Sequence, residues 1–370
     1  MPLRVAIIGS GMIAAAHLRA ARDAGATVAG ILGSSAERSA QAADEWGIAT
    51  GYPGLEALLA DRPDVVHICT PNWTHADYAE ALAAAGVHLV VEKPVAATVP
   101  DAERVVAAVE RAGVVAAVPY VYRYHPLVRE IRARRLAGEF GDIALVHGSY
   151  LQDWVLSPDA STWRIDPSLG GASRAFADIG SHWCDLAEFV SGETLTNVMA
   201  TTTITYPTRP AGSTPSFGGT SAGVDRVPVQ TEDIAVATFR TARGISANTV
   251  ISQVSAGRKN RLWLEIDGTL RSAVFDQERP ESVWLGTQDG AMELRRGEGS
   301  VAPDQARLNR TPPGHPQGWT DAFAAFVADT YDAVRGAQPE GLPTVVDGLR
   351  SVRIVDAVLE SARSGEWRIL

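Results

Sequence analysis

At 370 residues the chain is longer than one hydrophobic core usually supports, so two domains are expected. Hydrophobic residues at 46% and charged residues at 21% fit a water-soluble globular protein, and a formal charge of −10 argues against nucleic acid, whose phosphates need a basic face. Cys69 and Cys184 stand alone in apolar segments, without metal-ligand spacing or a disulfide framework, so no metal is expected and a reducing compartment is. No apolar run reaches the length of a membrane span, and Leu3–Ile8 is too short for the core of a signal peptide. The expectation is a cytoplasmic protein with no membrane contact.

In chain order, the first third alternates regularly. Apolar, β-branched runs at Val5–Ile8, Val28–Leu32, Val65–Cys69, Leu89–Val91 and Val114–Val118 are separated by alanine-rich stretches of helical length. Continuous apolar strands between helices predict a doubly wound parallel sheet covered on both faces, an α/β domain over residues 1–123. Asp101 is expected to open one helix and Gly113 to close it.

Gly9-Ser10-Gly11-Met12-Ile13-Ala14 follows the first strand directly and leads into a helix. That order is the fingerprint of a dinucleotide-binding fold. The first glycine allows the tight turn, the second lets backbone approach a pyrophosphate, and the small third residue lets helix and strand pack. The second strand ends in Gly33-Ser34-Ser35, with Glu37 and Arg38 beyond. No carboxylate stands at the strand end to take a ribose 2′-hydroxyl, whereas Ser34 and Arg38 suit a 2′-phosphate, so the pattern favours NADP over NAD. A helix cap at Ser34 or Ser35 with Arg38 solvated is equally compatible. Two more segments lie at strand ends, Thr70-Pro71-Asn72-Trp73-Thr74-His75 and Glu92-Lys93-Pro94. Open parallel sheets bind ligands at such ends, and an ammonium there stabilises a developing alkoxide.

Beyond Arg123 the texture changes. Alternating stretches at Leu145–Leu151, Asn197–Tyr206, Ile234–Arg240, Gly244–Ser252, Leu262–Ile266 and Ala273–Asp276 follow one another with few helices between. They predict an α+β domain over residues 124–370 with an open, mostly antiparallel sheet. Helical patterns fall at Leu127–Leu136, Ile179–Val190 and Gly318–Val334, and a final helix at Val345–Ser364 is free to pack on either domain. Pro207–Val229 and Arg295–Pro316 read as long loops. The sheet's outer face needs a cover, which predicts a homodimer or homotetramer. In this half Asp178 precedes His182 by four residues, a spacing that puts both on one helical face. A carboxylate so placed fixes an imidazole's tautomer and suits it to general acid/base work. A capping aspartate and an ordinary half-buried histidine satisfy the same spacing.

Together, the GxGxxA turn, Glu92-Lys93-Pro94 and Asp178-x-Gly-x-His182 resemble the glucose–fructose oxidoreductase / inositol dehydrogenase / MocA-like family over essentially the whole chain. The resemblance implies an NAD(P)-dependent oxidoreductase that moves a hydride between nicotinamide and a secondary alcohol or ketone of a sugar-like substrate. It implies Lys93, Asp178 and His182 as the catalytic set. Gly9, Gly11, Met12 and Ile13 would line the cofactor and Ser34 and Arg38 its adenosine ribose. Thr70, Pro71, Asn72 and His75 would border the nicotinamide side, with Glu92 touching the cofactor. Ser149-Tyr150-Leu151-Gln152-Asp153-Trp154 and Trp163-Arg164 are similar to sugar and levoglucosan-type dehydrogenases, in which the Trp-Arg pair lies beside nicotinamide and substrate. Tyr122, Arg123, Gln152, Asp153, Trp163, His182 and His315 become substrate candidates. Two alternatives stay open: C3 oxidation of a glycoside with tightly held cofactor, and a non-catalytic sensor of dinucleotide and sugar. The second-strand end lacks the acid of NAD-using members, so family resemblance leaves NAD or NADP undecided.

Overall fold

The computed structural model describes residues 2–211, 219–220, 225–299 and 301–370. The chain divides into two compact units, residues 1–121 with 320–352, and residues 122–319 with 353–370.

The first unit is built on a six-stranded parallel sheet. Its strands are β1 (Arg4–Ile8), β2 (Thr27–Leu32), β3 (Thr50–Gly51), β4 (Val65–Ile68), β5 (His88–Val91) and β6 (Ala116–Ala117), in the order β3-β2-β1-β4-β5-β6. β1, β4 and β5 are buried almost throughout, as continuous apolar strands between two helical layers must be. Five helices alternate with them: α1 (Met12–Asp23), α2 (Ala36–Trp46), α3 (Leu55–Ala60), α4 (His75–Ala84) and α5 (Val99–Ala112). Their termini follow from local chemistry. Ser35 caps α2 by accepting from the Arg38 N–H at 3.2 Å, and Gly47 closes it in the left-handed region. The α5 start differs from expectation. Thr98, not Asp101, is its cap; the Thr98 hydroxyl accepts the Asp101 N–H and donates to the Asp101 carboxylate at 2.7 Å. Pro100 fits the first turn because no intrahelical bond needs its missing N–H. Gly113 ends the helix at φ 65°, as expected.

The second unit holds a nine-stranded sheet. From one edge its strands are Gly290–Arg295, Ser282–Thr287, Ser272–Asp276, Arg261–Gly268, Ile143–Leu151, Ser246–Ser252, Ile234–Thr241, Leu195–Thr203 and Arg368–Ile369. Every neighbouring pair is antiparallel except Ile143–Leu151 with Ser246–Ser252. Alternate residues point inward onto one core with the helices Pro126–Leu136 and Ser181–Ser191, around the fully buried Trp183. The outer face carries exposed Val236, Val250 and Trp284 together with a cluster of His147, Glu265 and Asp267, in which His147 Nε2 lies 3.6 and 3.4 Å from the two carboxylates. The hairpin Ser282–Thr287/Gly290–Arg295 was not anticipated, although Asp289-Gly290 at its turn is a hairpin signal. The first expected loop contains the short strands Thr208–Pro210, Gly219–Thr220 and Arg226–Pro228, and the second a helix at Pro303–Leu308. Residues 212–218, 221–224 and 300 of those loops lie outside the described residues. Among the described residues no helix is long and apolar enough to cross a membrane.

Candidate active site

In the first unit the site is assembled at the carboxyl edge of the sheet. Strand order reverses between β1 and β4, and this is where open α/β sheets leave a crevice. Gly9 leaves β1 at φ 110°, and a Cβ there would lie 2.6 Å from the Cys69 carbonyl oxygen, so only glycine fits. Gly11 caps α1 without a side-chain bond, and the first turn of α1 holds no acidic residue. The free N–H groups and the positive end of the helix dipole therefore face outward without a carboxylate to compete for them, and these residues fit a dinucleotide pyrophosphate. Ala14, third in the fingerprint, is fully buried, and Met12 is 53% exposed beside it. Ser34 and Arg38 are exposed at the β2 end, with Arg38 donating to Gln41 at 2.7 Å.

The β4 and β5 ends are tied to each other. His75 is fully buried, with Nδ1 at 2.9 Å from the Pro94 carbonyl oxygen and Nε2 at 2.8 Å from that of Thr70. It thus clamps the two strand-end segments rather than presenting a free nitrogen. Thr70 and Thr74 pair through their hydroxyls at 2.5 Å, Asn72 is buried and Pro71 is exposed. Glu92 is buried. Its Oε2 accepts the Lys93 N–H at 3.0 Å and its Oε1 lies 3.0 Å from His17 Nε2. Burial pushes its carboxyl up, and His17 and Lys93 outweigh burial, so that it sits below the ordinary carboxylate range. Lys93 is half-buried at the head of a cis Lys93–Pro94 peptide.

In the second unit Asp178 lies on a π-helical turn, Phe176–Gly180, which runs into the α-helix Ser181–Ser191 that bears His182. The two residues therefore do not share one regular α-helical face. Gly180 permits the wider turn, because a Cβ there would meet the Phe176 ring at 2.8 Å. Asp178 is held from two sides: Gln253 donates to Oδ2 at 2.8 Å, and Arg164 Nε lies 3.5 Å from Oδ1. Arg164 itself stacks over Trp163 at 4.6 Å. A small cavity lined by Trp154, Val155, Thr162, Arg164, Arg174, Asp178 and Gln253 adjoins them.

The polar chain continues from Gln253. Its amide reaches Gln152 at 3.4 Å, Gln152 donates to Asn260 at 2.8 Å, and Tyr150 donates to the same Asn260 oxygen at 2.7 Å. The Tyr122 and Tyr150 hydroxyls lie 2.5 Å apart. Burial pushes both phenols up, so both stay protonated as donors. Tyr122 packs edge-on against the His182 ring, centroids 5.1 Å apart. Tyr122, Gln152, Trp163, Arg164, Asp178 and His182 are thus drawn into one neighbourhood.

Three candidates fall elsewhere. Arg123 is buried in a bidentate pair with Asp185, at 2.9 and 2.5 Å, so its guanidinium is committed internally. Asp153 accepts from Lys259 at 2.6 Å and from the Gly257 N–H, and anchors that turn. His315 is exposed on a loop pinned by Arg296 and Thr311, which both donate to its carbonyl oxygen at 2.7 Å. Gln253 and Asn260 were missed. Each lies just beyond a strand terminus, where no local motif marks it.

Comparison with known proteins identifies the family. Residues 3–120 match the oxidoreductase family with an NAD-binding Rossmann fold, and residues 128–274 match the GFO/IDH/MocA C-terminal domain. Levoglucosan dehydrogenase of Pseudarthrobacter phenanthrenivorans is 30% identical over 348 residues, covering 90% of this chain and 86% of its own. The 1,5-anhydro-D-fructose reductase of Ensifer adhaerens is 30% identical over 373 residues, 98% of this chain and 97% of its own. A solved structure of levoglucosan dehydrogenase in complex with NADH and levoglucosan superposes with a TM-score of 0.88 at 28% identity, covering 100% of this chain and 99% of that one. The chain belongs to the Gfo/Idh/MocA family of NAD(P)-dependent oxidoreductases, with an N-terminal Rossmann sheet and a mostly antiparallel C-terminal sheet.

Proposed function

We propose that this enzyme interconverts a secondary alcohol and a ketone on a polyhydroxylated, sugar-like substrate, with Lys93, Asp178 and His182 as its catalytic residues. The observation that carries the proposal is the Asp178 carboxylate, held by Gln253 and Arg164 one turn ahead of His182, with protonated Tyr122 and Tyr150 packed beside that imidazole. In the oxidative direction His182 takes the hydroxyl proton. The Lys93 ammonium stabilises the negative charge that grows on oxygen, and Asp178 holds the imidazole in the basic orientation. The bound nicotinamide supplies the two-electron acceptor or donor. In reduction the same groups return the proton. A sugar-like substrate fits because Gln152, Asn260 and the two tyrosines offer donors and acceptors in one network. The β2 end, with Ser34 and Arg38 exposed and no acid at the strand terminus, favours NADP over NAD.

The test is a panel of polyols, pyranoses and anhydrosugars assayed with both dinucleotides by nicotinamide absorbance. Lys93→Ala and His182→Ala should each lower turnover by about 100-fold or more while dinucleotide binding stays near that of the parent. Parental turnover in either variant rules out the catalytic roles.

A further inference from the structure

A buried chain of four side chains in the first unit ends on Glu92. The Tyr331 hydroxyl lies 2.9 Å from His67 Nε2, His67 Nδ1 lies 2.8 Å from His17 Nδ1, and His17 Nε2 lies 3.0 Å from Glu92 Oε1. Both imidazoles are 0% exposed, as is Tyr331, and Phe323 closes over His17 with ring centroids 4.8 Å apart. None of this uses solvent, so every hydrogen must be placed within the chain.

The placement has one solution. Burial keeps the Tyr331 phenol protonated, and His67 Nε2 is the acceptor within its reach. Were His67 to donate instead, the phenol hydrogen would be buried with no acceptor. Tyr331 therefore donates to His67 Nε2, and His67 must carry its own hydrogen on Nδ1. That hydrogen points at His17 Nδ1, which must be a lone pair, so His17 carries its hydrogen on Nε2 and gives it to the carboxylate. Each donor meets one acceptor, both histidines are neutral, and all three bonds run toward Glu92. His17 lies in the second turn of α1, beyond the Gly9–Gly11 turn, whereas Glu92 follows β5 directly beside Lys93.

We infer that His17 is a positioning residue, its tautomer set by His67 and Tyr331, that keeps Glu92 ionised and thereby fixes Lys93 relative to the dinucleotide turn. The inference rests on the catalytic role proposed for Lys93. Loss of the His17 bond leaves a buried carboxylate with fewer donors, and burial then drives it to take up a proton. The groups that share its field are Lys93, His17, and the nearby His75 and Cys69; burial holds the His75 imidazole down against an upward push from Glu92, and burial together with Glu92 raises the Cys69 thiol.

Two measurements on the full chain test this. In ¹⁵N-histidine spectra His17 should appear as the Nε2–H tautomer and His67 as the Nδ1–H tautomer. His17→Leu should lower kcat about 10- to 100-fold through a misplaced Lys93, with KM and dinucleotide affinity little changed. Its acid limb should move up by about one pH unit or more. His17→Gln, whose amide can still donate to Glu92, should restore most of both. Reversed tautomers, or a parental pH profile in His17→Leu, would overturn the inference, and the spectra decide it even where the variant does not fold. Parental turnover in Lys93→Ala would instead defeat the catalytic assignment and leave the spectra unchanged.

Discussion

Gly9 shows how much one missing atom contributes. Its φ of 110° is accessible to glycine and strained for any L side chain, and the Cys69 carbonyl occupies the space a Cβ would need. Gly9→Ala should therefore destabilise the protein by about 1–3 kcal/mol. Because the strain lies in the turn that would approach the pyrophosphate, dinucleotide affinity should fall more steeply than stability. Thermal unfolding and a fluorescence titration with NADH and NADPH separate the two effects. An alanine variant with parental Tm and affinity contradicts this account of the turn. The substitution also probes the residue best legible from sequence alone, since a strand, a glycine turn and a helix follow one another without a break.

Elements differ in how far they could be read ahead. The strands of the first sheet except the two-residue β3, and the final helix, Val345–Ser364, were visible because burial on one or both faces imposes a periodicity that needs no distant partner. The π turn at Asp178 was not visible, because it depends on Phe176 packing over Gly180. Gln253 and Asn260 were hidden for another reason. They meet Gln152 only because strands ending at Ser252 and starting at Arg261 both pair with Leu151, a register fixed by the whole sheet. The same strand ends are braced by Asp233, which is fully buried, pairs with Arg174 and, at 3.2 Å, with Arg209, and whose carbonyl accepts the Gln253 N–H at 3.1 Å. Asp233→Asn leaves two guanidinium groups buried without their counter-charge and should cost about 3–5 kcal/mol. The exposed pair Arg226–Asp159 provides the control, since Arg226→Ala should cost about 1 kcal/mol or less. Urea unfolding of the two variants measures the contrast, and equal midpoints would refute it.

For the whole molecule, the outer face of the second sheet raises a question of assembly. Val236 and Val250 sit directly opposite each other on adjacent strands at 43% and 39% exposure, and Trp284, on the same face, is 42% exposed. Apolar side chains on an open sheet face, with polar residues between them, fit a surface that pairs with its own copy under two-fold symmetry. The expected species in solution is therefore a homodimer or homotetramer. Val236→Lys combined with Val250→Glu places complementary charges across the strand pair, so the sheet itself keeps a favourable neighbour while the face becomes polar. Light scattering coupled to gel filtration should show the mass falling toward that of one chain, with the thermal transition retained. A parent protein that is already monomeric at micromolar concentration, or a double variant that keeps the parental mass, would show that assembly does not use this face.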